Sequence, residues 1–149
     1  MVQQIITKGY KPEKALAYFE ELCKIPHGSG NEEAVARYIE NFAKERELFV
    51  IRDANNNVFI RKEASAGYEN VPAYLLQGHT DMVCAKETSS GHNFDTDALD
   101  LYMEDGWLRA RGTTLGGDDG IAVAFMLALL DGEIEKHPTI ECLFTVEEE

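Results

Sequence analysis

The apolar run at residues 121–130, directly behind Gly116-Gly117-Asp118-Asp119-Gly120, constrains this chain most. It carries no polar face, so a helix built from it must be covered on all sides. It is also too short for the roughly 20 residues that a membrane-spanning helix needs. The run therefore belongs inside a folded core, as a helix over about 119–130. The segment 139–146 reads as a further buried strand.

The rest of the chain supplies layers around that core. Pro12 suits the first turn of a helix, and Ala15, Leu16, Phe19, Leu22 and Cys23 follow at helical spacing. Ile25-Pro26-His27-Gly28-Ser29-Gly30 breaks the pattern. Asn31 can cap a second helix, with Glu32 and Glu33 in its first turn and Val35, Tyr38, Ile39 and Phe42 as one apolar stripe. Strand signals come next at 48–51 and 58–60, split by an Asn-rich turn at 55–57, and again at 74–77, ending on Gly78. Segments 101–103 and 107–110 flank Glu104-Asp105-Gly106 as a hairpin. Helices alternate with strands and hairpins, which predicts an α/β fold with a mixed sheet flanked by helices. With 149 residues, 44% of them hydrophobic, the chain can bury one substantial core.

Acidic residues outnumber basic ones 27 to 14, for a formal charge of -13. That balance argues against nucleic acid and against anionic membranes, both of which need a basic patch. The acidity either keeps the protein soluble or reserves some carboxylates for metal. Cys23, Cys84 and Cys142 are odd in number and far apart, so they read as reduced, mostly buried thiols. Residues 1–14 lack the basic-then-apolar pattern of a signal peptide, and a cytoplasmic protein is expected.

Four places carry residue types suited to chemistry. In Gly78-His79-Thr80-Asp81, His79 and Asp81 are two apart and share one side of a strand end. They are either a metal ligand with its orienting carboxylate or a hydrogen-bonded strand-end pair. Gly116-Gly117-Asp118-Asp119-Gly120 is either a helix cap or a metal-bridging carboxylate held at a strand-to-helix turn. In Glu147-Glu148-Glu149, one carboxylate could bind a metal while its neighbour reaches a water; a solvated acidic end is the other reading. Residues 25–32 read as structural, a helix end, turn and cap, with no catalytic role for His27. His92 and His137 read as surface histidines and Trp107 as a packing residue. No Walker loop, Gly-x-Ser-x-Gly elbow or His-Glu-x-x-His is present, so serine or cysteine nucleophiles have no support. Three carboxylates directly after a buried strand read as an interrupted chain.

Taken in order, Gly78-His79-Thr80-Asp81-Met82-Val83, Gly112-Thr113-Thr114-Leu115-Gly116-Gly117-Asp118-Asp119-Gly120-Ile121 and Thr145-Val146-Glu147-Glu148-Glu149 resemble the motifs of the co-catalytic zinc exopeptidases. The closer resemblance is to the aminoacyl-histidine (Xaa-His, β-alanyl-histidine) dipeptidases. It rests on residues 19–32, Leu76-Gln77-Gly78-His79, His92-x-Phe94 and the Gly-Thr-Thr-Leu-Gly loop. Gly117 and Asp119 depart from the Ala and Asn usual in relatives. The small residue and glycine that normally follow the Glu pair are also absent.

The resemblance implies that residues 1–149 are the N-terminal portion of a metallopeptidase catalytic domain, without its remainder or its lid and dimerisation domain. It implies two divalent metal ions, Zn2+ with Co2+ or Mn2+ as alternatives. His79 would bind one, Asp118 would bridge both and Glu149 would bind the other, while Asp81 orients and polarises His79. Hydrolysis would proceed by a water activated between the metals, with Glu148 as the general base that passes its proton to the leaving amine. A further Asp and His would come from later sequence. The implied substrate is a short peptide ending in histidine, such as β-alanyl-histidine, and the full-length parent is expected to be a homodimer. Another di-zinc amidohydrolase or tripeptidase, or a non-catalytic protein that keeps the fold, are the competing readings. The 149-residue chain alone is expected to bind metal weakly, to be inactive and to risk aggregation through its edge strands.

Overall fold

A computed structural model describes residues 6–149; the first five residues of the stretch read for a signal peptide lie outside the described residues. In chain order the elements are α1 (Glu13–Leu22), α2 (Glu33–Glu45), β1 (Phe49–Arg52), β2 (Val58–Lys62), β3 (Tyr74–His79), β4 (Leu101–Glu104), β5 (Trp107–Ala110), α3 (Gly117–Leu130) and β6 (Ile140–Thr145). Four strands form one sheet in the order β1-β2-β6-β3, and β4-β5 form a separate ribbon. The pairs β1–β2 and β2–β6 are antiparallel, whereas β3 runs parallel to β6, so the sheet is mixed as expected.

Alternation along the strands sorts the two faces. Val58, Ile60, Ile140, Cys142 and Phe144 are buried in the core, together with Phe19 and Leu22 of α1, Val35, Ile39 and Phe42 of α2, and Val123 and Leu127 of α3. α2 packs on β1 and β2, and α3 packs on β3, β6 and α1. Phe49, Ile51 and Leu75, by contrast, are exposed.

Local chemistry explains several boundaries and corrects some expectations. Pro12 occupies the N-cap of α1 in an extended conformation, just ahead of the first turn. Asn31 does not cap α2; the N-cap is Glu32, whose side chain makes no cap bond to the helix. Its carboxylate turns back and accepts the Gly30 N–H at 2.9 Å. Before α1, the buried Glu20 carboxylate accepts the Thr7 N–H and hydroxyl, each at 2.6 Å, and pins the incoming chain. The β4–β5 turn places Asp105 and Gly106 at φ 51 and 80, the left-handed pair that a tight hairpin requires. Trp107 is 67% exposed rather than packed, because it lies on the uncovered side of a two-stranded ribbon. His137 is buried, not a surface residue: Ser65 donates to its carbonyl and accepts its N–H, which docks the 63–69 segment against it.

Asp131, the C-cap of α3, ties three helices together. Arg46 at the end of α2 donates to its carboxylate, and Lys14 of α1 reaches its backbone carbonyl at 3.1 Å. Burial pushes the Asp131 pKa up, but the hydrogen bonds from Arg46 and Tyr18 and the nearby positive charges outweigh it and hold the carboxyl below its usual range. A carboxylate with a lowered folded pKa contributes stability that is present above its unfolded value of about 3.9 and is lost as the pH falls through the folded value. Asp131→Ala is therefore expected to cost about 2 kcal/mol at pH 7, as for hydrogen bonds to charged groups. Urea denaturation should show the gap to the unsubstituted chain narrowing as the pH falls below the unfolded value of about 3.9.

Candidate metal centre

The parallel pairing of β3 with β6 aligns His79 opposite Thr145, so both strands end at one edge. The Thr80 N–H and hydroxyl donate to the Thr145 carbonyl at 2.8 and 3.0 Å and lock the two exits together. The start of α3 reaches the same edge. Gly116 sits there at φ 69, where a Cβ would meet the Met82 sulfur at 2.9 Å, so only glycine lets the loop approach. Asp118 and Asp119 then keep non-helical dihedrals before regular helix begins. Carboxyl ends of parallel strands beside a helix N-terminus are where α/β folds place ligand sites.

His79 is nearly buried there. Its Nδ1 lies 3.1 Å from the Asp81 backbone carbonyl. A carbonyl can only accept, so in the neutral ring Nδ1 carries the proton and Nε2 presents its lone pair outward. Nε2 is 3.1 Å from Asp118 Oδ1 and 3.8 Å from Glu148 Oε2. Burial lowers the His79 pKa, but the Asp118 hydrogen bond, the Asp81 carbonyl and the charges of Asp81 and Asp119 more than offset it, and the net shift is upward. Asp119 instead lies against Gly78, with its Oδ2 3.0 Å from where a Cβ would stand. One ligand atom each from His79, Glu148 and Glu149 falls within a mutual 4.8 Å. Glu149, Val83, Thr114, Gly116 and Asp118 line an adjoining cavity of about 210 Å³.

Asp81 is 1% exposed. The Nδ1 of His79 is closer to its carbonyl than to its carboxylate, which stands 3.4 Å away. That carboxylate is instead taken up by three donors: the Ser29 hydroxyl to Oδ2 at 2.8 Å, the Glu148 N–H to Oδ1 at 3.1 Å and the Glu149 N–H to Oδ2 at 3.0 Å. Burial raises the Asp81 pKa, yet these bonds prevail and lower it. Glu147 sits at φ 54, in the left-handed region, between the end of β6 and these two amides. His27 is buried, with burial holding its pKa low, and its Nδ1 pairs with the Ile25 carbonyl. That fits the structural reading of this turn. Ser29 in the same turn does reach the site, and its only sequence signal was the Ser-Gly within 25–32.

All five residues singled out in the sequence thus converge. An imidazole nitrogen with several carboxylates is a donor set that suits zinc and similar divalent cations. No protein-family model matches the chain. Over 138 residues it is 44% identical to the cytosol non-specific dipeptidase of Escherichia coli (strain K12), a match covering 93% of this chain and 28% of the relative. It superposes on the aminoacylhistidine dipeptidase from Vibrio alginolyticus with a TM-score of 0.92 at 42% identity, covering 99% of this chain and 30% of the other. The chain shares its fold and sequence with dipeptidases. The resemblance to aminoacyl-histidine dipeptidases holds, and so does the α/β class. A tripeptidase from Staphylococcus aureus, with a TM-score of 0.70 at 23% identity over 91% of this chain and 36% of the other, shares the fold alone. The chain spans under a third of the length of either dipeptidase. Among the described residues no helix is long and apolar enough to cross a membrane.

Proposed function

We propose that this chain forms the N-terminal portion of the catalytic domain of a cytoplasmic, metal-dependent dipeptidase that hydrolyses short peptides of the aminoacyl-histidine type. The observation that carries the reading is the convergence of His79 Nε2, Asp118, Glu148 and Glu149 at the ends of β3 and β6. The identity of 44% to a named dipeptidase supports it.

His79, Asp118 and Glu149 would hold a pair of divalent cations, with Zn2+ favoured by the mixed nitrogen and oxygen donors and Co2+ or Mn2+ as substitutes. When bound, such cations supply Lewis acidity, polarising the peptide carbonyl and easing deprotonation of water. Asp118 has one oxygen 3.1 Å from His79 Nε2 and a side chain 83% exposed, so its carboxylate is accessible and would be able to hold metal beside His79. Glu148, open to solvent yet fixed through its backbone N–H to Asp81, is the base that takes the proton and returns it to the leaving amine. The whole protein would add the remaining ligands, the lid and a homodimer interface.

The test is zinc calorimetry on the full-length protein and on this chain, with hydrolysis of β-alanyl-histidine and of a dipeptide lacking histidine alongside. The full-length protein is expected to show two tight sites, weakened by Asp118→Ala, and to hydrolyse the histidine dipeptide. The 149-residue chain is expected to bind weakly without turnover. A full-length protein that neither binds metal nor hydrolyses either peptide would leave only the reading of a retained fold.

A further inference from the structure

We infer that Ser29 is a positioning residue of this centre: its hydroxyl fixes the Asp81 carboxylate, and through Asp81 it fixes the backbone of Glu148 and Glu149. The inference rests on the metal-site reading above.

The turn between α1 and α2 is built to deliver that hydroxyl. Gly28 and Met82 form an isolated parallel bridge, and the Met82 N–H donates to the His27 carbonyl at 3.2 Å. The turn therefore lies directly alongside the chain that leaves β3. Close approach is enforced at Gly28, where a Cβ would come within 2.4 Å of the Cys84 sulfur. Gly30 stands at φ 83, a conformation that side chains other than glycine's rarely adopt, and the buried Glu32 accepts its N–H. The Asn31 N–H closes the turn on the Gly28 carbonyl at 2.8 Å. Ser29 is thus held from both sides with its hydroxyl 2.8 Å from Asp81 Oδ2.

The same Oδ2 accepts the Glu149 N–H, while Oδ1 accepts that of Glu148. A carboxylate is planar, so fixing one oxygen against Ser29 sets the direction in which both oxygens face the two amides. Without the hydroxyl, Asp81 keeps only the two amides as donors, and Oδ2 loses the partner that sets its direction independently of Glu149. Ser29 is itself exposed, so its truncation leaves no cavity in the core.

The experiment compares Ser29→Ala and Ser29→Thr with the unsubstituted protein, all at full length, by amide hydrogen exchange and by Co2+ titration followed in the visible spectrum. Ser29→Ala is expected to speed exchange at the Glu148 and Glu149 amides about tenfold, well beyond any change at core amides. It should also weaken Co2+ binding about 10-fold, the low end of the range for groups that orient metal ligands. Ser29→Thr, which keeps the hydroxyl, should restore both. Unchanged exchange at Glu148 and Glu149, or a general rise across core amides, overturns the inference. An unsubstituted full-length protein that binds no Co2+ at all overturns the metal-site reading instead, while the exchange comparison still decides the role of Ser29.

Discussion

Asp81→Ala is expected to lower stability by about 3 kcal/mol and to weaken zinc binding about 100-fold, effects in the range for stranded buried donors and for lost groups behind metal ligands. The substitution removes a fully buried carboxylate that holds one hydroxyl and two backbone N–H groups. Each stranded donor costs about 1–3 kcal/mol. The Glu148 side chain is 61% exposed, so water can reach part of this segment and the total falls short of the full sum. Asp81→Asn should be nearly as harmful. Its amide has one acceptor oxygen, and its NH2 would face a backbone donor. Urea unfolding and zinc calorimetry on the same proteins measure the two effects separately. If stability falls while zinc affinity is untouched, Asp81 serves the fold and not the site. The resemblance implies that the Asp81 carboxylate orients and polarises His79. Here the nearer contact to the ring is the Asp81 carbonyl, which any residue at this position would supply, and the carboxylate at 3.4 Å adds its charge, a difference of detail within that role.

That difference marks where the sequence was legible. The periodicity of α1, α2 and α3 and the β-prone runs located the elements to within a residue or two, since burial patterns are written into local order. The Glu104-Asp105-Gly106 turn was equally clear, because few residues tolerate its dihedrals. Trp107 and His137 were misplaced for one shared reason. Local order tells which side of an element is apolar but not whether another layer arrives to cover it, and one side of the β4–β5 ribbon stays open while Ser65 closes over His137. Glu20 and Glu32, two acidic residues on apparently polar helix positions, are buried because backbone donors from neighbouring turns need acceptors. For the site, residue types at His79, Asp118 and Glu148 were visible, but their meeting depends on the parallel β3–β6 pairing, a long-range event with no local signature. The Ser29 contact spans 52 residues and is invisible for the same reason.

Phe144→Ala is expected to cost about 3–5 kcal/mol, the range for removing a fully buried aromatic ring. Phe144 is 0% exposed and is among the largest side chains sealed in the core. It sits on β6, which has a neighbour on each side, opposite Val58 on β2 and Gly78 on β3. Gly78 offers no side chain on that flank, and Val58 is too short to reach into the vacated space, so little can collapse inward and the cavity term is kept. Against a total stability of about 5–15 kcal/mol for a domain of ordinary size, the loss is a large fraction of the whole. Phe144→Leu retains most of the volume and should cost about 1–1.5 kcal/mol. The ratio of the two costs separates packing from any requirement for the aromatic ring itself. Urea titrations should show the midpoint falling with an unchanged slope if the native state stays two-state and equally compact. A cost for Phe144→Ala below about 1 kcal/mol would mean that β6 is not the centre of the sheet. Because β6 leads directly into the residues that face His79, a frayed β6 should also loosen Glu148 and Glu149. Phe144→Ala is accordingly expected to impair metal binding although Phe144 is four residues from Glu148 and no ligand itself, whereas Phe144→Leu should leave it close to that of the unsubstituted chain.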